Sequence, residues 1–366
     1  MEIFFQLEKI LKRHDLEKQV TAVQLATYLD VHRQTVAKLL SGEARVINLD
    51  VVSRLCRWLL DQGVPQEELP AGLFGMVPSE LWKAVAGKQR TSLCLGQYHE
   101  MLEDPVGPAR LWISRRDADV ANAILKRLYP LRGAAGASTL GFSYIPFRFR
   151  TTPDGRRQRF LTEDAPAAKR VFREMQEQKA DTASILLGSA EVNYLVEIFM
   201  ANLWGIRPFQ RSDEKRRAPV YVLFRHSWSG MTSCFGGLEP PPGLEGKGEP
   251  GIYYLGPRGQ WNLCPWKPDK EDAALVILVN DPAASAIDLV LAGYTGRATA
   301  AMEECFVGET KPFWPPYCQI DGRQIGVYIC RLLVDGHKSQ DPEPYRVRKF
   351  QVIRLDEAVI KRHFRK

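Results

Sequence analysis

Residues 33–41 carry polar side chains whose types and spacing suit contacts with DNA. The set is Arg33, Gln34, Thr35, Lys38 and Ser41. Arginine can donate two hydrogen bonds to guanine O6 and N7, and glutamine can pair in a similar way with adenine N6 and N7. At helical spacing these side chains project from one face near the start of a helix, where base-reading residues are found. The sequence therefore predicts double-stranded DNA as the first partner.

Two short helices joined by a tight turn would position these side chains. The first helix begins at the predicted N-cap Thr21, Val31 fills the turn, and Gly42 is the predicted C-terminal cap of the second helix. Apolar residues recur at helical spacing on both sides of the turn. They are Val23, Leu25, Ala26 and Leu29 in the first helix, and Val36, Leu39 and Leu40 in the second. Residues 21–42 are thus predicted to form a helix-turn-helix.

The stretch from about Val20 to Phe74 resembles the Cro/repressor-like (XRE) helix-turn-helix family. The residues that carry the resemblance are Thr21, Gln24, Leu25, Ala26 and Val31, then RQTVAKLLSGEA (33–44), Leu55, Leu59 and GVPQEELPAGLF (63–74). Two residues depart from the family pattern. Asp30 stands where the turn favours glycine, although Asp enters unusual backbone regions more readily than most residues. His32 replaces the usual hydroxyl N-cap of the second helix.

The resemblance implies a role for individual residues. Arg33, Gln34 and Lys38 fall where the family reads bases, with His32 and Thr35 beside them. Phosphate contacts are implied for Thr21, Gln24, Ser41 and Arg45. Two other interpretations stay open: a helical bundle with this spacing could serve only for packing, or the module could bind another protein.

Composition limits the class of protein. The chain has 366 residues, 45% hydrophobic and 25% charged, which suits a globular protein of two or three domains. No apolar run reaches the roughly 18 residues of a membrane span, so no membrane partner is predicted. The seven cysteines are scattered without a CxxC pair, which favours a reducing, cytoplasmic location. The scattered histidines lack metal-site spacing, so no metal is predicted.

The charge distribution predicts a dimer. Net charge is +7, yet residues 1–60 hold nine Lys and Arg against seven Asp and Glu. Such a small local excess attracts DNA weakly. Specific binding is therefore expected to need two copies, and a homodimer is predicted.

The predicted fold is multidomain, with an all-α helix-turn-helix bundle at the N-terminus followed by a larger α/β domain with a mixed, partly parallel sheet. Helices are predicted over 2–14, 22–30, 33–41 and 48–62 in a domain of residues 1–75. Residues 76–91 are predicted to be a linker with one short helix. From residue 92 to 366, apolar strands alternate with helices, as in an α/β layer that forms one unit or two lobes (92–215 and 216–366). The late strands 326–334 and 345–355 are expected to pair antiparallel.

Two turns of this domain could hold an anion. In each, a strand leads through glycine into a helix, which points backbone N–H groups at the carboxyl end of the strand. The candidate ligand residues are Gly293, Thr295, Gly296, Arg297 and Thr299 in one turn, and Gly188, Ser189 and Asn193 in the other. The alternative is that the glycines serve packing alone. No cofactor is identified, and a small anionic or nucleotide-like effector is the candidate ligand.

The sequence thus predicts a sequence-specific, DNA-binding transcriptional regulator whose α/β domain senses a ligand and dimerises. The alternative is a nucleotide- or nucleoside-processing enzyme that a helix-turn-helix module recruits to DNA or to a partner. Glu303 and Glu304 after one turn and Glu197 after the other are the carboxylates that such an enzyme could use. No catalytic residue is assigned.

Overall fold

A computed structural model of the chain describes residues 2–5, 7–17, 20–41, 44, 48–65, 69, 74–77, 80–101, 110–132, 139–151, 157–159, 161–189, 191–209, 218–228, 231–234, 248–335 and 346–364. The helices are α1 (Leu7–Arg13), α2 (Ala22–Leu29), α3 (Arg33–Leu40), α4 (Leu49–Asp61), α5 (Leu81–Ala86), α6 (Arg115–Arg132), α7 (Leu161–Glu177), α8 (Tyr194–Trp204), α9 (Gly296–Met302), which continues into the π-helical turn Glu303–Val307, and α10 (Glu357–His363). In the described part of the chain, no helix has the length and apolar character needed to cross a membrane.

The strands fall into three sheets. β1 (Glu2–Phe5) and β2 (Phe74–Val77) form the smallest, and β8 (Val220–Trp228), β9 (Met231–Cys234), β10 (Gly251–Leu255) and β11 (Trp261–Pro265) form an antiparallel sheet of four. The largest contains β3 (Arg90–Glu100), β4 (Arg110–Ile113), β5 (Thr139–Thr151), β6 (Arg157–Arg159), β7 (Thr182–Leu187), β12 (Glu271–Asp281), β13 (Ala286–Gly293), β14 (Cys318–Ile320), β15 (Arg323–Val334) and β16 (Val347–Arg354).

Helices α1 to α4 enclose a core of their own. Leu25 and Leu29 of α2, Val36 and Leu39 of α3, and Leu55 of α4 are all almost fully buried in it. In α2 and α3, the predicted apolar spacing therefore marks the residues that pack, with one exception. Val23 was expected in the apolar stripe of α2, but its side chain is 53% exposed. Gly42, the predicted cap of α3, lies outside the described residues.

The helix predicted over residues 2–14 is wrong at its start. Residues Glu2–Phe5 form strand β1, and the helix begins only at Leu7. Strand β1 pairs antiparallel with β2, which lies some seventy residues further along the chain. An expectation of an all-α N-terminal part misses this pairing, because the partner of a strand cannot be read from local periodicity.

The ten-stranded sheet is mixed, as predicted for the α/β domain. Its neighbours run in the order β14-β15-β12-β13-β7-β3-β5-β6, with β16 beside β15 and β4 beside β3. Strands β5, β3, β7 and β13 are parallel, whereas β12, β15 and β16 are antiparallel to their neighbours. The predicted antiparallel pairing of the two late strands is confirmed. The sheet takes strands from both of the ranges 92–215 and 216–366.

Helices cover both faces of this sheet and bury its central strands completely. α8 packs on one face, and α5, α6 and α9 pack on the other. Every residue of β7 and of β13 is buried, which fits their largely apolar sequences. The short helix expected in the linker is α5, and its Leu81, Trp82 and Val85 belong to this core.

Gly293 ends β13 at a position where a larger residue cannot fit. A methyl group placed on its Cα would lie 2.3 Å from the Thr299 backbone nitrogen and 2.6 Å from the Thr295 carbonyl oxygen. We expect Gly293→Ala to lower the free energy of unfolding by at least about 2 kcal/mol, because the overlapping atoms belong to the backbone. Chemical denaturation followed by circular dichroism measures this change.

The matched control is Gly141→Ala on β5, where the nearest atom to the added methyl group is Ser92 Oγ at 4.0 Å. This control should change stability by less than about 1 kcal/mol. Equal effects of the two substitutions would contradict the close packing at Gly293.

Candidate nucleic-acid interface and the glycine turns

The connection between α2 and α3 is held by local hydrogen bonds. Thr21 caps α2 by accepting from the Gln24 amide at 3.3 Å, and the Gln24 side chain accepts in return from the Thr21 amide at 2.9 Å. Asp30 ends α2 in the left-handed region with φ of 56°, the position at which the family pattern favours glycine. His32 caps α3, with Nδ1 accepting from the Gln34 amide at 3.3 Å. Both departures from the family pattern are therefore accommodated.

Packing decides which face of α3 is free. Val36 and Leu39 are fully buried against the neighbouring helices. Arg33, Gln34 and Lys38 lie on the other side and are exposed. A cationic fork, an amide and an ammonium group thus share one accessible surface, which we call the α3 face. These are donors that suit base edges and phosphates.

The remaining predicted DNA contacts have different surroundings. Thr21 and His32 are exposed but act as helix caps, and the Gln24 side-chain oxygen is occupied by Thr21. Thr35 is half-buried. Arg45 lies outside the described residues. The α3 face therefore brings together the three predicted base-reading residues, while Thr21 and Gln24 hold the start of α2.

Among the contacts of the described residues, the larger domain reaches α3 only near the C-terminal end of this helix. Strands β14 and β15 are joined by Asp321 and Gly322, whose φ values of 48° and 75° are those of a tight hairpin turn. The Gln319 side chain on this hairpin donates to the Ser41 carbonyl oxygen at 3.4 Å. Ser41, a predicted phosphate contact, is thus half-buried at the junction of the two parts.

The turn after β7 is used to hold the sheet together. Asn193 is fully buried, and its Nδ2 donates to the Cys94 carbonyl at 3.0 Å and to the Leu187 carbonyl at 2.9 Å. Its Oδ1 accepts from the Leu195 amide at 3.2 Å and so caps α8. Ser189 accepts the Asn193 amide through its carbonyl oxygen. Asn193 therefore joins β3, β7 and α8, which favours the packing interpretation of this turn.

The turn after β13 is also closed by its own chain. The Thr295 hydroxyl accepts from the Ala298 amide and donates to the fully buried Asp272 carboxylate. The Thr299 hydroxyl donates to the Thr295 carbonyl oxygen, and Arg297 pairs with Asp269 at 3.4 Å. The Asp272 carboxylate would repel an anion, so this geometry also favours packing.

The two turns lie side by side in the sheet. β7 and β13 are adjacent and parallel, and the Gly188 amide donates to the Leu291 carbonyl at 3.1 Å. The helices that follow them pack on opposite faces of the sheet. This edge is a topological switch point, the place where open α/β sheets commonly bind ligands.

One functional group at this edge escaped the sequence analysis. Asp117, in the first turn of α6, is 5% exposed, and a methyl group on Gly188 would lie 3.0 Å from its Oδ2. Burial raises the pKa of Asp117 to about 7, although neighbouring Arg116 opposes the shift. Arg116 in turn lies against Gly296. An acidic residue in the first turn of a helix is common, so the sequence gives no signal that this one is buried.

The carboxylates considered for an enzyme lie elsewhere. Glu303 and Glu304 are exposed, and Glu197 is buried in α8, where it accepts from the Phe209 amide at 3.2 Å. Among the described residues, no group of three or more His, Cys, Asp or Glu side chains could hold a metal ion.

No protein-family model, no curated protein and no solved structure matches this chain. The likeness of residues 20–74 to the XRE family therefore stays a prediction that rests on the residues quoted for it. The function has to be inferred from the side chains and geometry described above.

Burial of Asp117 should make stability depend on pH. The folded state holds its proton up to about pH 7, whereas the unfolded chain releases it near the ordinary pKa of Asp. The contribution of Asp117 to stability is therefore complete below about pH 4 and is lost as the pH rises through 7. Asp117→Asn changes the free energy of unfolding relative to the wild type. We expect this change to be roughly 2 kcal/mol more stabilising at pH 8 than at pH 5.

Denaturant titrations at the two pH values measure this difference. Asp119→Asn, half-exposed on the same helix, controls for loss of a carboxylate from the first turns of α6. If Asp117→Asn had the same effect at both pH values, the raised pKa of Asp117 would be refuted.

Proposed function

We propose that this protein is a sequence-specific, DNA-binding transcriptional regulator that uses residues 21–41 as a helix-turn-helix. The observation that carries the proposal is the α3 face: Arg33, Gln34 and Lys38 are exposed together, opposite the buried Val36 and Leu39. In this class of protein, residues near the start of the second helix contact base edges in the major groove. Arg33 and Gln34 supply donors for such contacts at the required end of the helix, and Lys38 lies in its last turn.

The contact with the larger domain is compatible with this mode of binding. It involves Ser41, after the last residue of α3, and leaves the first turns of the helix exposed. Two copies of the chain would place two such helices in successive major grooves, about 34 Å apart. The modest positive charge of residues 1–60 favours this dimeric arrangement, because each copy contributes few phosphate contacts. The α/β domain then has the size to carry dimerisation and ligand sensing.

Removing all three donors from the α3 face should abolish specific binding. We expect Arg33→Ala, Gln34→Ala and Lys38→Ala in one protein to leave the fold intact, because all three side chains are exposed. The operator is first selected from random duplexes with the wild-type protein, and binding is then measured by gel shift at fixed salt.

The matched control is Lys169→Ala with Arg173→Ala on the exposed side of α7. It removes two positive charges, the same number as the triple variant. The control should retain specific binding. Selection of the same operator with the same affinity by the triple variant would overturn the proposal, as would failure of the wild-type protein to select any sequence.

Arg33 by itself should determine one base position. Loss of a bidentate contact to guanine is expected to cost roughly 1–3 kcal/mol of discrimination at that position. Arg33→Ala should therefore select an operator that is relaxed at one base pair in each half-site and unchanged elsewhere. Uniform weakening across all positions would instead identify Arg33 as a phosphate contact.

A further inference from the structure

A cavity of about 470 Å³ lies in the α/β domain at the amino ends of β7 and β13, opposite the glycine turns. Phe199 and Leu203 of α8 and Phe364, after α10, line one side of it. Val279 of β12 lines the sheet side. Gln176 and Asn202 also line the cavity, so its lining is part apolar and part polar. Cavities of this size commonly hold small organic molecules.

Charged groups stand beside this apolar wall. Lys179 Nζ lies 3.4 Å from Asp281 Oδ2 and 3.4 Å from Asp288 Oδ2, and Arg323 Nε lies 3.0 Å from Asp281 Oδ2. Lys179, Asp288 and Arg323 line the cavity directly. They come from the segment before β7, from β13 and from β15, so only the fold brings them together.

The two cations keep hydrogen-bonding capacity. Lysine carries three N–H donors and arginine five. In the described part of the chain, Lys179 pairs only with the two aspartates, and Arg323 uses only Nε for Asp281. One ammonium proton and the guanidinium Nη groups are therefore left to meet a ligand or water. An oxyanion is the group that this pair of donors fits.

Asp281 and Asp288 are the carboxylates that face these two cations. Lys179 and Arg323 hold the pKa of Asp281 below its usual range, although burial opposes the shift. Burial raises the pKa of Asp288, against the pull of Lys179. Asp281 and Asp288 both face these cations, so a ligand carboxylate would be held by the N–H donors that the two aspartates leave unused.

We propose that this cavity binds a small amphipathic carboxylate, with its carboxyl group on Lys179 and Arg323 and its apolar body against Phe199, Leu203 and Phe364. Both parts of the ligand follow from the lining. An aliphatic or aromatic body fills the apolar side, and a single carboxylate accepts from the N–H donors that Asp281 and Asp288 leave unused. A polyphosphate would bring more negative charge than these groups balance.

The site lies next to the contact between the α/β domain and α3. Arg323 begins the strand that follows Asp321 and Gly322, and Gln319 on the same hairpin reaches Ser41. Glu8 lies near Gly322, and Asp281 is close enough to contribute to the raised pKa of Lys12, which arises mainly from its hydrogen bond to Glu8. A ligand that engages Arg323 would therefore act on the hairpin that contacts α3. Only the regulatory meaning of this step rests on the proposed DNA binding.

Calorimetry on the full chain without DNA tests the site. The probes are 2-naphthoate and its uncharged analogue 2-naphthamide, which share one apolar body. We expect 2-naphthoate to bind with a Kd at least about tenfold lower than that of the amide, since a hydrogen bond to a charged group contributes roughly that much.

Two variants locate the binding. Arg323→Gln should weaken 2-naphthoate about tenfold and leave the amide unchanged, because the carboxylate alone uses the guanidinium. Arg323→Lys should restore part of the affinity. Leu203→Trp should remove binding of both probes by filling the cavity, with circular dichroism and thermal unfolding as the check on the fold. Arg348→Gln on β16, outside the cavity, is the matched control and should bind like the wild type.

Hydrogen exchange then tests the connection to α3. Addition of 2-naphthoate should slow exchange in residues 318–323 and 33–40 of the wild-type protein. Equal affinity for acid and amide, no saturable binding of the acid, or binding that survives Leu203→Trp would each overturn the proposed site. Because none of these measurements involves DNA, their failure would leave the proposed DNA binding untouched, and the reverse also holds.

Discussion

Burial of Val36 and Leu39 is the constraint on which the proposed function depends. These two side chains pack against Leu25 and Leu29, and this packing fixes the rotation of α3 about its own axis. Buried and exposed positions of a helix differ by a rotation about its axis, so Arg33, Gln34 and Lys38 face outward only while this core holds. Caps at Thr21 and His32 and the left-handed Asp30 set the angle between the helices. These three side chains are thus positioned by an apolar core that would not itself contact DNA.

In the α/β domain, the carboxyl edge of the sheet and its amino edge differ in chemistry. At the carboxyl edge, Asn193 and Thr295 use their hydrogen bonds on the chain itself, and Asp272 and Asp117 place carboxylates where an anion was expected. At the amino edge, Lys179 and Arg323 line a cavity and carry N–H donors that no described residue uses. Glycine turns drew attention to the first edge because they form a sequence motif. The second edge has no motif, since its four charged residues come from distant parts of the chain.

The hairpin of β14 and β15 lies between the cavity and the helix-turn-helix segment. It contributes Arg323 to the cavity and Gln319 to the contact with Ser41. The Asp-Gly pair that forms its turn is a strong local signal for a hairpin, and β14 could have been predicted from it.

Local order along the chain determined much of the structure. Helical spacing and caps predicted α2, α3 and α4, and apolar residues predicted β7 and β13, because periodicity and capping act between neighbours in sequence. Pairings between distant residues were decided only by the tertiary structure. Glu2–Phe5 forms a strand because Phe74–Val77 supplies its partner. Asp117 is buried where Gly188 packs against it. The four charged residues Lys179, Asp281, Asp288 and Arg323 meet because the strands that carry or follow them lie in one sheet. The energy of such contacts depends on distance in space, which the order of residues does not specify.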